Sequence, residues 1–438
     1  MDSREAAKQI FLAGVKGVLP GRIIDNLVSI RGSRLITGNL DFDLEKTGSI
    51  YVIGAGKASA AMAHYVEKIL GNRIAGGHII TKYGFYCRLK YIQVTEAGHP
   101  VPDSNSFAAT GSVLQLADMA GENDLVICLL SGGGSSLLAD FPENTSPEEI
   151  RHLNNLLVKS GAAIGEINCI RKHLSLVKGG HLMKRIWPAT CISIILSDVT
   201  GDPPDIIASG PTVPDASTYA DALRIIDSRQ LGGRIAGTVL NYLNEGARSI
   251  RPETPKPGDP VFSKSFTFIA GSNKMALEAA KKEAEKLGFS SFILTSELFG
   301  DPEGACAWFR EMIFRFRNDS SVKKPFCLLF GGELTVRVTG DGRGGRNQHL
   351  ALTAALRLTD IPGVTFLSAG TDGNDGETDA AGAIADADTI RNAVTLSRNP
   401  ELYLERFDSY NFFRSVGGHI ITGSTLTNVM DLVIILVD

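Results

Sequence analysis

Short β-branched apolar blocks alternate along this chain with stretches of helical periodicity, and a glycine-containing turn joins most block-to-helix pairs. Examples are "SIYVIGAGKASAAMAHYVEKIL", "DLVICLLSGGGSSLLAD", "CISIILSDVTGD", "SFTFIAGSNKMALEAAKKEAEKLGF", "PFCLLFGGELTV" and "VTFLSAGTDGNDG". Each block is too short for a helix, and its unbroken apolar character is that of a strand buried on both faces. Strand, glycine turn, helix repeated in this way predicts an α/β fold with a parallel sheet covered on both sides. The opening stretch, "MDSREAAKQIFLAGVKGVL", reads as an amphipathic helix with charges throughout and no signal-peptide block.

The pattern breaks at "RPETPKPGDP", residues 251–260, which has four prolines and almost nothing apolar. It can continue neither a helix nor a central strand, so it reads as a connector. The expected division is an N-terminal α/β domain over 1–258 and a C-terminal α/β domain over 259–438. With 438 residues, two cores are the natural expectation.

Composition narrows the function classes. A net charge of −4, with no basic run interleaved with aromatics, lacks the electrostatic footprint of nucleic-acid binding. No apolar run approaches the ~20 residues of a membrane span, so no membrane partner is expected. Six scattered cysteines without a CxxC read as reduced core residues, which suggests a cytoplasmic protein. Small molecules are the expected partners.

In open α/β sheets ligands bind outside the carboxyl ends of the strands, where the glycine turns collect. "VIGAGKAS" has the G-x-G of a dinucleotide loop through Gly54 and Gly56, but Ser59 stands at the third glycine position and the next strand ends in Lys82 rather than an acid. Lys57, placed where a helix dipole disfavours a cation, calls for an anion nearby. "SGGGSS", Ser131, Gly132, Gly133, Gly134, Ser135 and Ser136, offers unobstructed backbone N–H groups and hydroxyls suited to phosphate oxygens. Asp198, just past a strand in "SDVTGDPPDIIASGPTVPD", and Asp372, just past another in "GTDGNDG", are candidates for Mg²⁺ or for a substrate hydroxyl. Asp202, Asp205, Asp375 and Asp379 read as turn residues. Arg343 and Arg346 in "GDGRGGRNQ" suit a carboxylate or phosphate. His99 in "TEAGHPVPD" could act as a base or sit hydrogen-bonded in a rigid loop, and "RKHLSLVKGG" sets Arg171, Lys172, His173 and Lys178 close together.

Taken in order, "IGAGKAS", "TEAGHPVPD", "LLSGGGSSLL", "RKHLSLVKGG", "SDVTGDPPDIIASGPTVPD", "GGELTV", "GRGGRNQ", "GTDGNDG" and "GSTLTNVMDL" resemble the glycerate 2-kinases with a MOFRL C-terminal domain, from about Ile53 to Leu432. The resemblance implies ATP-dependent phosphorylation of D-glycerate to 2-phosphoglycerate. It also implies a larger Rossmann-like α/β/α sandwich, a smaller α/β domain and a cleft between them. The resemblance implies that Lys57 and either Arg343 or Arg346 are important. With these, the expected site has Asp198 as a further catalytic residue; the two glycine turns for ATP; Glu96, His99, Lys178, Asn347 and Asp372 for substrate; and Asp198 with Asp372 for Mg²⁺. A homodimer is left open as the assembly. The rival expectation is an NAD(P)H-dependent hydroxypyruvate reductase, which "GAGKAS" superficially suits. A sugar-acid sensor is a third, against which no output domain is recognisable. The chain departs from the family pattern at His349, Glu377 and Ser424.

Overall fold

The apolar blocks form strands in two six-stranded sheets, one in each of two compact units. The structure is a computed structural model that describes residues 2–358 and 360–438.

One unit is Ile24–Ala270. It begins with a small antiparallel sheet of β1 (Val28–Arg31), β2 (Arg34–Thr37) and β3 (Leu40–Asp43), which the sequence reading did not anticipate. Its large sheet contains β4 (Ile50–Ala55), β5 (Ile74–Lys82), β6 (Gln93–Ala97), β7 (Leu125–Ser131), β8 (Thr190–Leu196) and β9 (Ser265–Gly271) in the order β6-β5-β4-β7-β8-β9. The pairings from β6 to β8 are parallel, and both β4 and β7 are buried along their whole length. Ile53, Val126, Leu130 and Ile195 share a core with Ala109 and Val113 of the helix Ser104–Met119. A second, all-helical core joins Leu153, Leu157, Ile170, Ala222, Val239 and Leu243. The chain winds outward through β4, β5 and β6, then restarts beside β4 with β7 and winds the other way, so the order reverses between β4 and β7.

The other unit is built from the residues up to Ile23 together with Gly271–Asp438. Its strands β10 (Ser290–Leu298), β11 (Phe326–Gly332), β12 (Val364–Gly370), β13 (Gly382–Asp386), β14 (His419–Ile420) and β15 (Asp431–Val437) run in the order β10-β11-β15-β12-β13-β14. Only β10–β11 is parallel. The last strand inserts antiparallel between β11 and β12, so the expected parallel sheet is the β6-to-β8 part of the first unit's large sheet and not this one.

The observed division differs from the expected one in two ways. The helix Ser3–Gly17 packs in the second unit, where Arg4 pairs with Asp386 at 2.6 Å and the Thr427 hydroxyl donates to the carbonyl of Val18. The proline-rich stretch 251–260 is not a linker between units but part of the first. Thr254 is buried there with its hydroxyl donating to Asp215, and the Asp215 amide donates to the carbonyl of Pro255. Proline excludes a stretch from ladders without excluding it from packing.

Candidate active site

The reversal between β4 and β7 is where an open α/β sheet leaves a crevice, because the connections leave those two strands toward opposite faces. Both glycine turns lie at that point. Register pairs Ala55 with Leu130, so Gly56 and Ser131 emerge side by side.

The two turns do different work. In the first, Gly54 and Gly56 have φ of 151° and 143°, a region that side chains rarely enter. A Cβ on Gly54 would collide with the Leu129 carbonyl oxygen and sit 2.8 Å from its carbonyl carbon. The amides after the turn are used inside the protein: Lys57 N–H donates to Gly132 O at 2.9 Å, Ala58 N–H to Ser131 Oγ at 3.0 Å and Ser59 N–H to Gly56 O at 3.2 Å. The G-x-G spacing therefore serves close packing of β4 on β7. In a dinucleotide fold those amides would face a pyrophosphate.

The second turn is the open one. Among the described residues, the amides of Gly132, Gly133, Gly134 and Ser135 donate to no acceptor in the chain. Each glycine is required by a neighbour: a Cβ on Gly132 would lie 2.5 Å from Asp198 Cγ, on Gly133 2.7 Å from His99 Nε2, and on Gly134 2.8 Å from Ala208 Cβ. The glycine run thus lets Asp198 from the end of β8 and His99 from the loop after β6 close against it. The helix that follows, Gly134–Leu137, is a single turn, so its dipole adds little and the cradle rests on the amides themselves.

A cavity of about 810 Å³ opens beside the run, lined by His99, Gly132 to Ser136, Asp140, Arg171, Lys178 and Asp198, with Phe107, Ile150, Leu153 and Val158 on apolar walls. Burial, with Lys57 and Lys82 nearby, pushes the His99 imidazole down to about 4, so it is neutral at pH 7 and a weak base. Ser135 and Ser209 hydroxyls lie 2.7 Å apart, and Ser209 donates to Asn168. Ser136 donates to Gly133 O and Ser131 is held by Ala58, so these hydroxyls shape the turn. Lys178 is buried, donating to Leu138 O at 2.5 Å and lying 3.7 Å from Asp140. Glu96, at the end of β6, accepts from the Gly84 amide.

The remaining candidates lie in the other unit. Arg346 forms a two-pronged pair with Asp431 (2.6 and 3.0 Å) and a third contact with Glu333 at 2.8 Å, so its guanidinium is committed within the fold. Asn347 is buried between Asp375 and Ser368. Asp375, read as a turn residue, accepts the Asn347 and Gln348 amides at the start of the helix Arg346–Leu358; burial raises its carboxyl to about 6. Arg343 is exposed, donates Nε to Glu377 O and lies over the Tyr410 ring at 4.4 Å. Asp372 follows β12 and accepts the Asn374 amide. His349 stacks on Phe407 with ring centroids 3.9 Å apart. Among the described residues, no three of His, Cys, Asp and Glu cluster as a protein-only metal cage. Sequence reading missed Arg171 as a cavity residue; its only signal was the run of cations in "RKHLSLVKGG".

Residues 6–244 match the family model described as "Domain of unknown function (DUF4147)", and 326–431 match that of the MOFRL family. A D-glycerate 2-kinase of Thermotoga maritima is 43% identical over 387 residues, 88% of this chain and 90% of that protein. A putative hydroxypyruvate reductase of Agrobacterium vitis is 37% identical over 95% of this chain and 93% of its own length. The crystal structure of glycerate kinase from Thermotoga maritima matches with a TM-score of 0.88 and 39% identity, over 99% of each chain.

Proposed function

Given that the chain belongs to the glycerate kinase family with a MOFRL domain, we propose that it transfers the γ-phosphoryl group of ATP to the 2-hydroxyl of D-glycerate, yielding ADP and 2-phosphoglycerate. The observation that carries the reading is how the two turns use their amides. The turn resembling a dinucleotide loop has spent its own, whereas the SGGGS run keeps four consecutive N–H groups at the switch point, where phosphate oxygens would meet them. This also weighs against the reductase reading.

Phosphoryl transfer needs positioning and charge neutralisation more than covalent help. The bond from γ-phosphorus to the bridging oxygen breaks, a bond to the C2 oxygen forms, and the hydroxyl proton must leave. The amides of Gly132 to Ser135 orient the phosphates, and Lys57 neutralises charge on the transferred group. Asp198 is the carboxylate placed to take the proton or to hold a cation; His99, neutral at pH 7, hydrogen-bonds without adding charge. One carboxylate fits Mg²⁺, which is held by one or two carboxylates with the phosphates; bound there, it would neutralise phosphate charge. The resemblance carries an essential arginine to Arg343 or Arg346. Arg343 is our assignment, because Arg346 is already held by two carboxylates.

Two parallel assays test the reading: ADP release from ATP, Mg²⁺ and D-glycerate, and oxidation of NADH or NADPH by hydroxypyruvate. ADP release with no nicotinamide oxidation is expected; the reverse pattern overturns the proposal.

A further inference from the structure

The last turn of the helix Ile164–His173 carries three consecutive basic residues. Two have acidic neighbours: Lys172 lies 3.3 Å from Asp215 and 3.4 Å from Asp205, and His173 Nε2 lies 3.0 Å from Glu253. The third, Arg171, turns to the cavity, and its guanidinium forms no ion pair among the described residues. Its Nε donates to Asn154 Oδ1 at 2.8 Å, which fixes the plane of the fork without neutralising it. Burial alone pulls its proton affinity down, with no carboxylate offsetting it. The helix C-terminus favours a cation only weakly, and no carboxylate neutralises this half-buried guanidinium.

The same cavity holds Lys178. Its acidic neighbour, Asp140, already accepts from the Ser175 hydroxyl and the Leu176 amide, so that carboxylate is shared among three donors. The other acids on the lining are engaged or outlying: Asp103 caps the helix Ser104–Met119, Asp198 lies against Gly132, and Glu148 is exposed. A volume of about 810 Å³ lies in the upper part of the range for small-molecule sites and is far larger than a three-carbon acid needs. Phe107, Ile150, Leu153 and Val158 give it apolar walls that a base and ribose would cover.

We infer that this cavity is the nucleotide pocket, with the Arg171 guanidinium, held flat by Asn154, as the receptor for the ATP polyphosphate and the Gly132 to Ser135 amides continuing its contacts. The inference rests on the kinase reading for the identity of the anion. Arg171 does not touch the reacting oxygen of glycerate, so it sets nucleotide affinity rather than the chemical step.

The test is calorimetric titration of the full chain with ADP and Mg²⁺, beside KM measurements for ATP and glycerate. Arg171→Met is expected to weaken ADP binding and raise the KM for ATP by about tenfold to a hundredfold, the value of a lost charge-assisted contact. The KM for glycerate should change less than about twofold. Asn154→Asp keeps Arg171 and its packing but gives it a carboxylate, so it should weaken ADP binding too; this variant decides the matter if Arg171→Met fails to fold. Arg171→Lys should recover part of the affinity. Unchanged ADP affinity in Asn154→Asp and in folded Arg171→Met, or a raised KM for glycerate alone, overturns the inference while leaving the kinase reading intact. A wild-type protein that binds ADP through Arg171 yet makes no phosphoglycerate would sink the kinase reading and keep the pocket.

Discussion

Gly132 has an ordinary φ, so replacing it with alanine adds no backbone strain; the three atoms nearest the new Cβ all belong to the Asp198 carboxylate, with Cγ 2.5 Å away. An ordinary carbon contact is about 3.5–4.0 Å, so one of the two must move by about 1 Å. Overpacking of this kind costs about 1–3 kcal/mol. Because the collision is with one side chain, shortening that side chain should relieve it. Gly132→Ala in the wild type should lower the urea unfolding free energy by about 1–3 kcal/mol, and in an Asp198→Ala background by less than about 0.5 kcal/mol, a coupling of about 1–2 kcal/mol between neighbours. Glycerate-dependent ADP release should fall at least about tenfold in Gly132→Ala, since the alanine displaces Asp198. If the alanine costs the same in both backgrounds, Asp198 does not close against the glycine run. The account of why the run needs Gly132 would then fail.

Three further outcomes follow from the geometry. Arg346→Met strands the buried Asp431 carboxylate and should cost about 2–3 kcal/mol, whereas Arg343→Met should leave chemical denaturation within about 0.5 kcal/mol and, on our assignment, abolish most turnover; the opposite split in activity would reassign the essential arginine. Asp375 is held at about 6 against an unfolded value near 3.8, so its stabilising protonation is complete below pH 4 and lost as pH rises through 6. Relative to Asp375→Asn, the wild type should lose up to about 3 kcal/mol between pH 4 and 7, and parallel stability curves would refute this. His99 is depressed to about 4, so its neutral form is favoured in the fold: that contribution is complete above about pH 6.5 and lost as pH falls toward 4. His99→Gln should flatten acid-side destabilisation over that window, and persistence of the full acid-side loss would contradict it.

What the sequence made legible is what periodicity and turn chemistry encode locally: the strands β4, β5 and β7 to β12, the glycine turns that end most of them, the helix Ser3–Gly17, and the place of Asp198 just past β8. Strand order is not local. That β15 inserts antiparallel between β11 and β12, or that residues up to Ile23 pack with the second unit, depends on partners far apart in sequence, such as Gly370 with Asp431 and Val18 with Thr427. The site shows the same limit. Gly54 and Gly56 look like a cofactor loop and Arg346 like an anion receptor, until the Ser131, Gly132 and Asp431 contacts show where their bonding capacity goes. Arg171 was hidden for the converse reason, since among three adjacent basic residues only the placement of carboxylates tells which one is left facing the cavity.

The central claim is phosphoryl transfer supported by Lys57 beside an open glycine cradle. Phosphorus NMR of a reaction containing the protein, ATP, Mg²⁺ and D-glycerate, run beside Lys57→Ala, tests it most directly. The account predicts a 2-phosphoglycerate signal growing with ADP in the wild type and reduced at least about a hundredfold in a folded Lys57→Ala, about 2.7 kcal/mol of lost transition-state stabilisation. Absence of phosphoglycerate in the wild type, or undiminished formation in Lys57→Ala, would contradict it.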